Sequence, residues 1–307
     1  MKNFFHYYIC IETKTKGIEF DMKLFDSHAH LDDEKFDEDR DIIIEEIHKC
    51  DVEKFVSAGY SLEGSKKAIE LSKKYDFIYA TAGISPNDIP QTKEELWKML
   101  AEIEQMALEN KIVSNNENET STNEICVKNQ LETNKKKLVA IGEIGLDYYW
   151  NKDNKELQKE AFIEQIRIAN KLDLPIVIHT REAVMDTLQI LKENPVNKKG
   201  IFHCCPLNRE LVKEALKLNF YISFCGPVTF KNSKNAAEII EMVPNDKMLI
   251  ETDSPYLSPE PLRGRRNDPR NVKYVAQKVA DVKGLSVEQV ADITYKNAMR
   301  IFNINGR

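Results

Sequence analysis

The chain has 307 residues, 42% of them hydrophobic, which is enough to bury one large core and excludes the disordered classes. Its formal charge of −6 excludes a general attraction to nucleic acid, so a phosphate-bearing substrate has to be held by local cations or by metal. Six cysteines (Cys10, Cys50, Cys126, Cys204, Cys205, Cys225) show no CxxC spacing and are too sparse for a disulfide scaffold, which points to a reducing, cytoplasmic setting.

Residues 1–21 hold one short apolar cluster followed by Lys and Glu, with no cleavage site and no run long enough to span a bilayer. They read as an N-terminal extension outside a domain at 22–307, with Met22 as a candidate start. From there, short β-branched or aromatic runs alternate with runs of helical period. Eight strands are expected at 24–31, 54–60, 78–84, 138–145, 175–180, 200–204, 220–226 and 248–254. Helical runs include 37–50, 155–172, 209–218, 269–284 and 286–302, the last capped by Ser286 with Glu288 in its first turn. Between about 110 and 137 the composition turns to Asn, Glu, Lys, Ser and Thr, the mark of a solvated insertion before strand 4. No Gly-rich phosphate turn follows the first strand. The expected fold is therefore an α/β TIM (β/α)8 barrel of one domain, with the insertion at its foot.

Metal-binding residue types recur at the strand ends. In FDSHAHLD, the period of two puts His28 and His30 on one face and Ser27, Ala29 and Leu31 on the other. Glu143 closes strand 4, His179 strand 5, His203 strand 6 and Asp253 strand 8, so four of the six histidines stand at strand ends. His6 and His48, in the extension and on a helix, carry no expected function. Charges inside a barrel are costly unless paired or bound to metal, so this coincidence reads as a metal centre. The ligands exceed what one open tetrahedral site needs, and two divalent ions (Mg²⁺, Mn²⁺ or Zn²⁺) bridged by Glu143 fit better. Gly142 and Gly145 would clear bulk around that bridge. Asp253 suits a general base, since a metal-oriented carboxylate can take the proton that a nucleophilic water loses.

FDSHAHLD, VAIGEIGLDYYW, PIVIHTREA, the His203 strand end, YISFCGPVTF, LIETDSPYLSPEPLRGRRNDP and NAMRIF together resemble the TatD family of metal-dependent deoxyribonucleases, among the amidohydrolase-like barrels. The resemblance runs from about Leu24 to Phe302 and skips the insertion. It implies a barrel that hydrolyses DNA phosphodiesters with divalent metals, in the family often as a 3′ to 5′ exonuclease. It also implies that His28, His30, Glu143 and Asp253 hold one ion, and Glu143, His179 and His203 a second. Three departures touch the substrate shell. The family's GxHPH after strand 3 is here GISPND, placing Ser85 and Asn87 where histidines are usual. Its HCFSG or HCYSG is here HCCPLN, and Leu262 replaces a frequent histidine.

DNA is the expected partner, as single strands or frayed ends, because an acidic protein with a local basic lip holds a few phosphates and not a long duplex. The expected substrate contacts are Arg181, Arg263, Ser85 and Asn87; guanidinium forks match phosphate, and Ser and Asn can hydrogen-bond it. Arg265 and Arg270 read equally as salt-bridged loop residues, Tyr148 to Trp150 as packing or base-stacking aromatics, and Cys204 and Cys205 as buried inert thiols. No membrane or obligate protein partner is expected. The alternatives are hydrolysis of an amide, ester or small phosphoester, and a metal-loaded binding protein without turnover. Glu143, in place of the carbamylated lysine of many related amidases, favours the nuclease.

Overall fold

The computed structural model describes residues 22–112 and 136–304, so the expected extension and most of the insertion lie outside the described residues. Eight strands run β1 (Leu24–Ala29), β2 (Val52–Ser57), β3 (Ile78–Ala82), β4 (Leu138–Asp147), β5 (Ile176–Arg181), β6 (Gly200–Phe202), β7 (Tyr221–Phe224) and β8 (Met248–Ile250). All pair in parallel and in chain order. The seam between β8 and β1 is drawn shut beyond β8, where Asp253 N donates to His28 O at 2.9 Å and His30 N to Ser254 O at 2.7 Å. This is the expected TIM barrel.

The main helices among the described residues are α1 (Arg40–His48), α2 (Leu62–Lys74), α3 (Lys93–Asn110), α4 (Lys155–Leu172), α5 (Val184–Glu193), α6 (Arg209–Lys217), α7 (Ala236–Met242), α8 (Val272–Lys283) and α9 (Val287–Ile301). Their inner faces follow helical spacing, as in α4, where Ala161, Phe162, Ile166 and Ala169 are buried. Ser286 caps α9 as expected, through a reciprocal capping box with Gln289. None of the described helices is long and apolar enough to cross a membrane.

Two apolar layers result. Strands and helices pack in the outer one. Inside the barrel, Phe25, Val56, Tyr79, Val139, Val177, Ile201, Tyr221 and Leu249, one from each strand, form a floor closed below by Phe302. A floor filled this way leaves the opposite, carboxyl-terminal mouth for chemistry.

Candidate metal centre

Two strands of the mouth carry an extra residue. In β1 the register passes from Asp26 opposite Phe55 to Ala29 opposite Ser57, and in β4 from Ile141 opposite Ile176 to Ile144 opposite Ile178. The bulges fall at His28 and at Glu143, and a bulge re-aims the side chain it carries. The period-two expectation for Ser27 is thereby corrected. Its hydroxyl lies 3.0 Å from Ser223 Oγ and 3.1 Å from Ile250 O, turned across the barrel beneath the histidines rather than away from them. The strand ends also differ from expectation. Glu143 sits within β4, which continues to Asp147, whereas Asp253 lies three residues beyond β8.

The six expected residues converge. His28 Nε2 and His30 Nε2 are 3.1 Å apart. Glu143 Oε2 lies 3.3 Å from the first and 3.6 Å from the second; Asp253 Oδ1 lies 3.6 and 3.3 Å away. The other oxygen of Glu143, Oε1, faces His179 Nδ1 at 3.0 Å and His203 Nε2 at 3.5 Å, and those two nitrogens are 3.3 Å apart. One carboxylate thus turns an oxygen to each of two groups of side chains that could hold a metal ion.

The outer ring nitrogens decide what the inner ones offer. His30 Nδ1 donates to Ala58 O at 2.9 Å, His179 Nε2 to Asp147 Oδ2 at 3.0 Å, and His203 Nδ1 faces Glu251 Oε1 at 3.4 Å. At His30 and His179 the proton is held outside, and the neutral ring points a lone pair inward. Lone pairs and carboxylates packed at such distances require positive charge between them. Ligand bonds of about 2.0–2.2 Å put neighbours on one ion about 3.0–3.5 Å apart, the spacing seen here, so the residues fit divalent ions.

Protons fill that role when metal does not. Burial would lower the His30 pKa, but Asp253 and Glu143 lift it to about 9. Against the same burial, Glu143 and Glu251 raise His203, and Asp147 and Glu143 raise His179. His28 is lowered, first by burial and then by His203. Burial would raise Glu143 and Asp253, yet His203 and His179 hold the former well below the carboxylate range, and His30 lowers the latter.

Three carboxylates that hold the six expected residues or the backbone around them escaped the sequence reading. Asp147 orients His179 and accepts from the backbone of Tyr149 and Trp150 at 2.8 and 2.9 Å. Glu251 accepts from Cys204 N and faces His203. Asp26 accepts from His28 N at 3.2 Å and Thr252 N at 3.0 Å, tying β1 to the segment after β8. The signal available was proximity in the chain: each lies within four residues of an expected site residue, at 26 and 28, 143 and 147, 251 and 253, although the bulges in β1 and β4 break the period of two there. Gly145 does clear bulk: its φ is 137°, and a Cβ there would lie 2.0 Å from His179 O.

A cavity of about 650 Å³ opens over the centre, lined in part by Tyr60, Ser85, Asn87, Trp150 and Arg181. Ser85 donates to Asp88 at 3.2 Å, and burial pushes Asp88 up to about 6. Asn87 Oδ1 accepts from Asn151 at 3.1 Å. The Arg181 guanidinium lies 4.1 Å over the Tyr149 ring and 5.4 Å over that of Trp150, a residue 63% exposed. Arg263 stands apart from this lining, 4.2 Å over Phe230. Arg266 pairs with Asp39, and Arg270 with Asp268 and Glu46, the salt-bridged reading given to Arg270. Tyr148 packs, its hydroxyl donating to Asp186 at 2.7 Å, and His48 stacks on Phe77 at 4.5 Å. His6 lies outside the described residues.

Fold and site together define a class, the (β/α)8 barrels with a buried histidine and carboxylate centre able to bind metal at the mouth. The family model for TatD related DNase matches residues 25–303, and the chain belongs to the TatD family. It is 42% identical over 284 residues to the uncharacterized metal-dependent hydrolase YabD of Bacillus subtilis, covering 92% of this chain and 100% of that one. To the uncharacterized metal-dependent hydrolase YcfH of Escherichia coli it is 35% identical over 291 residues, covering 92% and 97%. The fold matches the solved TatD homologue YjjV of Escherichia coli with a TM-score of 0.79 at 22% identity, over 93% of this chain and 100% of that one. It matches the phosphotriesterase homology protein of Escherichia coli, solved with phosphate in its active site, with a TM-score of 0.62 at 15% identity, over 92% and 99%.

Proposed function

We propose that this protein is a metal-dependent deoxyribonuclease that cleaves DNA phosphodiester bonds, working from the 3′ end of single-stranded or frayed DNA. The observation that carries the reading is Glu143 turning one oxygen to His28 and His30 and the other to His179 and His203. In this reading His28, His30, Glu143 and Asp253 hold one divalent ion, and Glu143, His179 and His203 the other. Bound there, two ions supply an acidified water and charge stabilisation for the attacking and leaving oxygens. Mg²⁺, Mn²⁺ and Zn²⁺ all suit such ligands.

The chain's own groups do the rest. Asp253, 14% exposed at its side chain, faces the cavity and takes the proton of the attacking water. Arg181 supplies a cation beside the centre for a phosphate oxygen, the Asn87 amide donates to it, and Ser85 does so once its hydroxyl turns from Asp88. The ion pairing of Arg266 and Arg270 supports a short grip on one end of a strand rather than a long duplex track. The same pairing is the one feature that favours the second reading, hydrolysis of a small phosphoester.

Oligonucleotides labelled at the 3′ or the 5′ end, incubated with each metal, test the proposal. Stepwise release from the 3′ end is expected, with a loss of at least about 10²-fold in Asp253→Asn. Digestion unchanged in that variant would mark a contaminant. Hydrolysis of model phosphoesters without any cutting of DNA would transfer the assignment to the second reading.

A further inference from the structure

One group of metal-binding side chains beside the centre is left unused by the dinuclear site. The Sγ atoms of Cys204 and Cys225 and a carboxylate oxygen of Asp253 lie within 4.8 Å of one another. Cys204 follows β6 and lines the cavity, with a φ of 35° that is uncommon for a residue carrying a Cβ. Cys225 follows β7 and is 3% exposed, its thiol donating to Thr252 O at 3.3 Å. The ends of three successive strands, β6, β7 and β8, thus each bring one soft or anionic ligand atom to a common point that opens on the cavity through Cys204. Cys205, the next residue, turns its thiol to Pro206 O at 3.6 Å and stays out of the group.

We propose that Cys204, Cys225 and Asp253 form a third cation site, selective for thiophilic divalent ions of the Zn²⁺, Co²⁺ and Cd²⁺ type. Thiolate sulfur prefers such ions, whereas Mg²⁺ and Mn²⁺ prefer oxygen. Three protein ligands leave a fourth tetrahedral position for water. On binding, one divalent ion enters and two thiol protons leave to solvent, so that two thiolates and one carboxylate surround it. The site shares Asp253 with the proposed centre. An ion held here competes for that carboxylate, and excess Zn²⁺ inhibits hydrolysis supported by Mg²⁺ or Mn²⁺. The inhibition rests on the proposed function; the site itself does not.

Titration of the reduced full-length protein with Co²⁺ separates the two claims. Ligand-field bands report cobalt at either site, and a near-ultraviolet charge-transfer band reports cobalt on thiolate alone. A further equivalent carrying the charge-transfer band is expected, weakened at least about tenfold in Cys204→Ser and in Cys225→Ser and retained in Cys205→Ser. Filled ligand-field bands without it, or a band that survives Cys225→Ser, would overturn the third site alone. Ligand-field bands that saturate with the single equivalent carrying the charge-transfer band would leave the thiol site standing and remove the dinuclear reading. Alkylation of Cys204 in the wild-type protein, read by mass spectrometry, needs no variant: Cd²⁺ should slow it at least about tenfold, and an unchanged rate refutes the site.

Discussion

Removing metal from the centre and raising the pH should destabilise the fold, and restoring metal should reverse the slope. His30 is 6% exposed, and although burial would lower its pKa, Asp253 and Glu143 raise it from 6.5 to about 9. At about 1.36 kcal/mol per tenfold change in proton affinity, that rise is on the order of 3 kcal/mol of stability in the metal-free protein. A raised folded pKa contributes fully below the unfolded value, here 6.5, and its contribution is lost as the pH climbs through about 9. His179 and His203, also raised, add losses of the same sign, while the lowered His28 loses stability toward acid instead. Glu143 and Asp253, both depressed, contribute above ordinary carboxylate pKa values of 4.5 and 3.8 and lose that contribution on further acidification. In calorimetry with chelator, the Tm should therefore fall by about 5–10 °C between about pH 6 and pH 9.5, as 3 kcal/mol implies for a domain of this size. The fall should shrink in His30→Gln. With Mn²⁺ the sign reverses, because metal competes with protons for the same lone pairs and gains as they leave. A metal-free protein whose Tm stays flat or rises over that interval would refute the account of the histidines as proton-loaded in place of cations.

Other consequences are local. Asp147→Ala removes the acceptor that holds the His179 proton outside, and metal affinity measured by calorimetry should drop about 10–100-fold with the fold intact; unchanged affinity would count against the orientation argument. Gly145→Ala forces a Cβ to within 2.0 Å of His179 O at a φ of 137°, so it should lower expression and Tm severely. By contrast Gly284→Ala, at a φ of 65° with open space around it, should cost only about 1–2 kcal/mol, and equal effects of the two would undo the packing argument. Trp150→Ala should raise KM for oligonucleotides by about 1–3 kcal/mol of lost stacking and leave KM for a small phosphodiester unaltered. Parallel changes for both substrates would deny the exposed ring a base.

The barrel and its six converging side chains were legible because each depends on information that repeats along the chain. Alternation of strand and helix periods recurs eight times, and a histidine or carboxylate near a strand end reaches the mouth whatever its exact register. Details that depend on one extra residue were not. The inward turn of Ser27 and the place of Glu143 inside β4 follow from bulges in β1 and β4, and a bulge changes the pairing of two strands without altering the local pattern of residue types. The arginines after Asp253 illustrate a second limit. Their charge is visible in the sequence, but whether it faces phosphate or Asp39 and Glu46 on α1 and its approach is a matter of tertiary distance. The positioning carboxylates lie between these cases. Asp26, Glu251 and Asp147 lie close in the chain to the expected site residues, and looking behind each ring for a proton acceptor would have picked out Asp147, which holds the outer nitrogen of His179. At His30 and His179 the need to orient a buried ring from behind therefore constrains the strands alongside the need to meet in front.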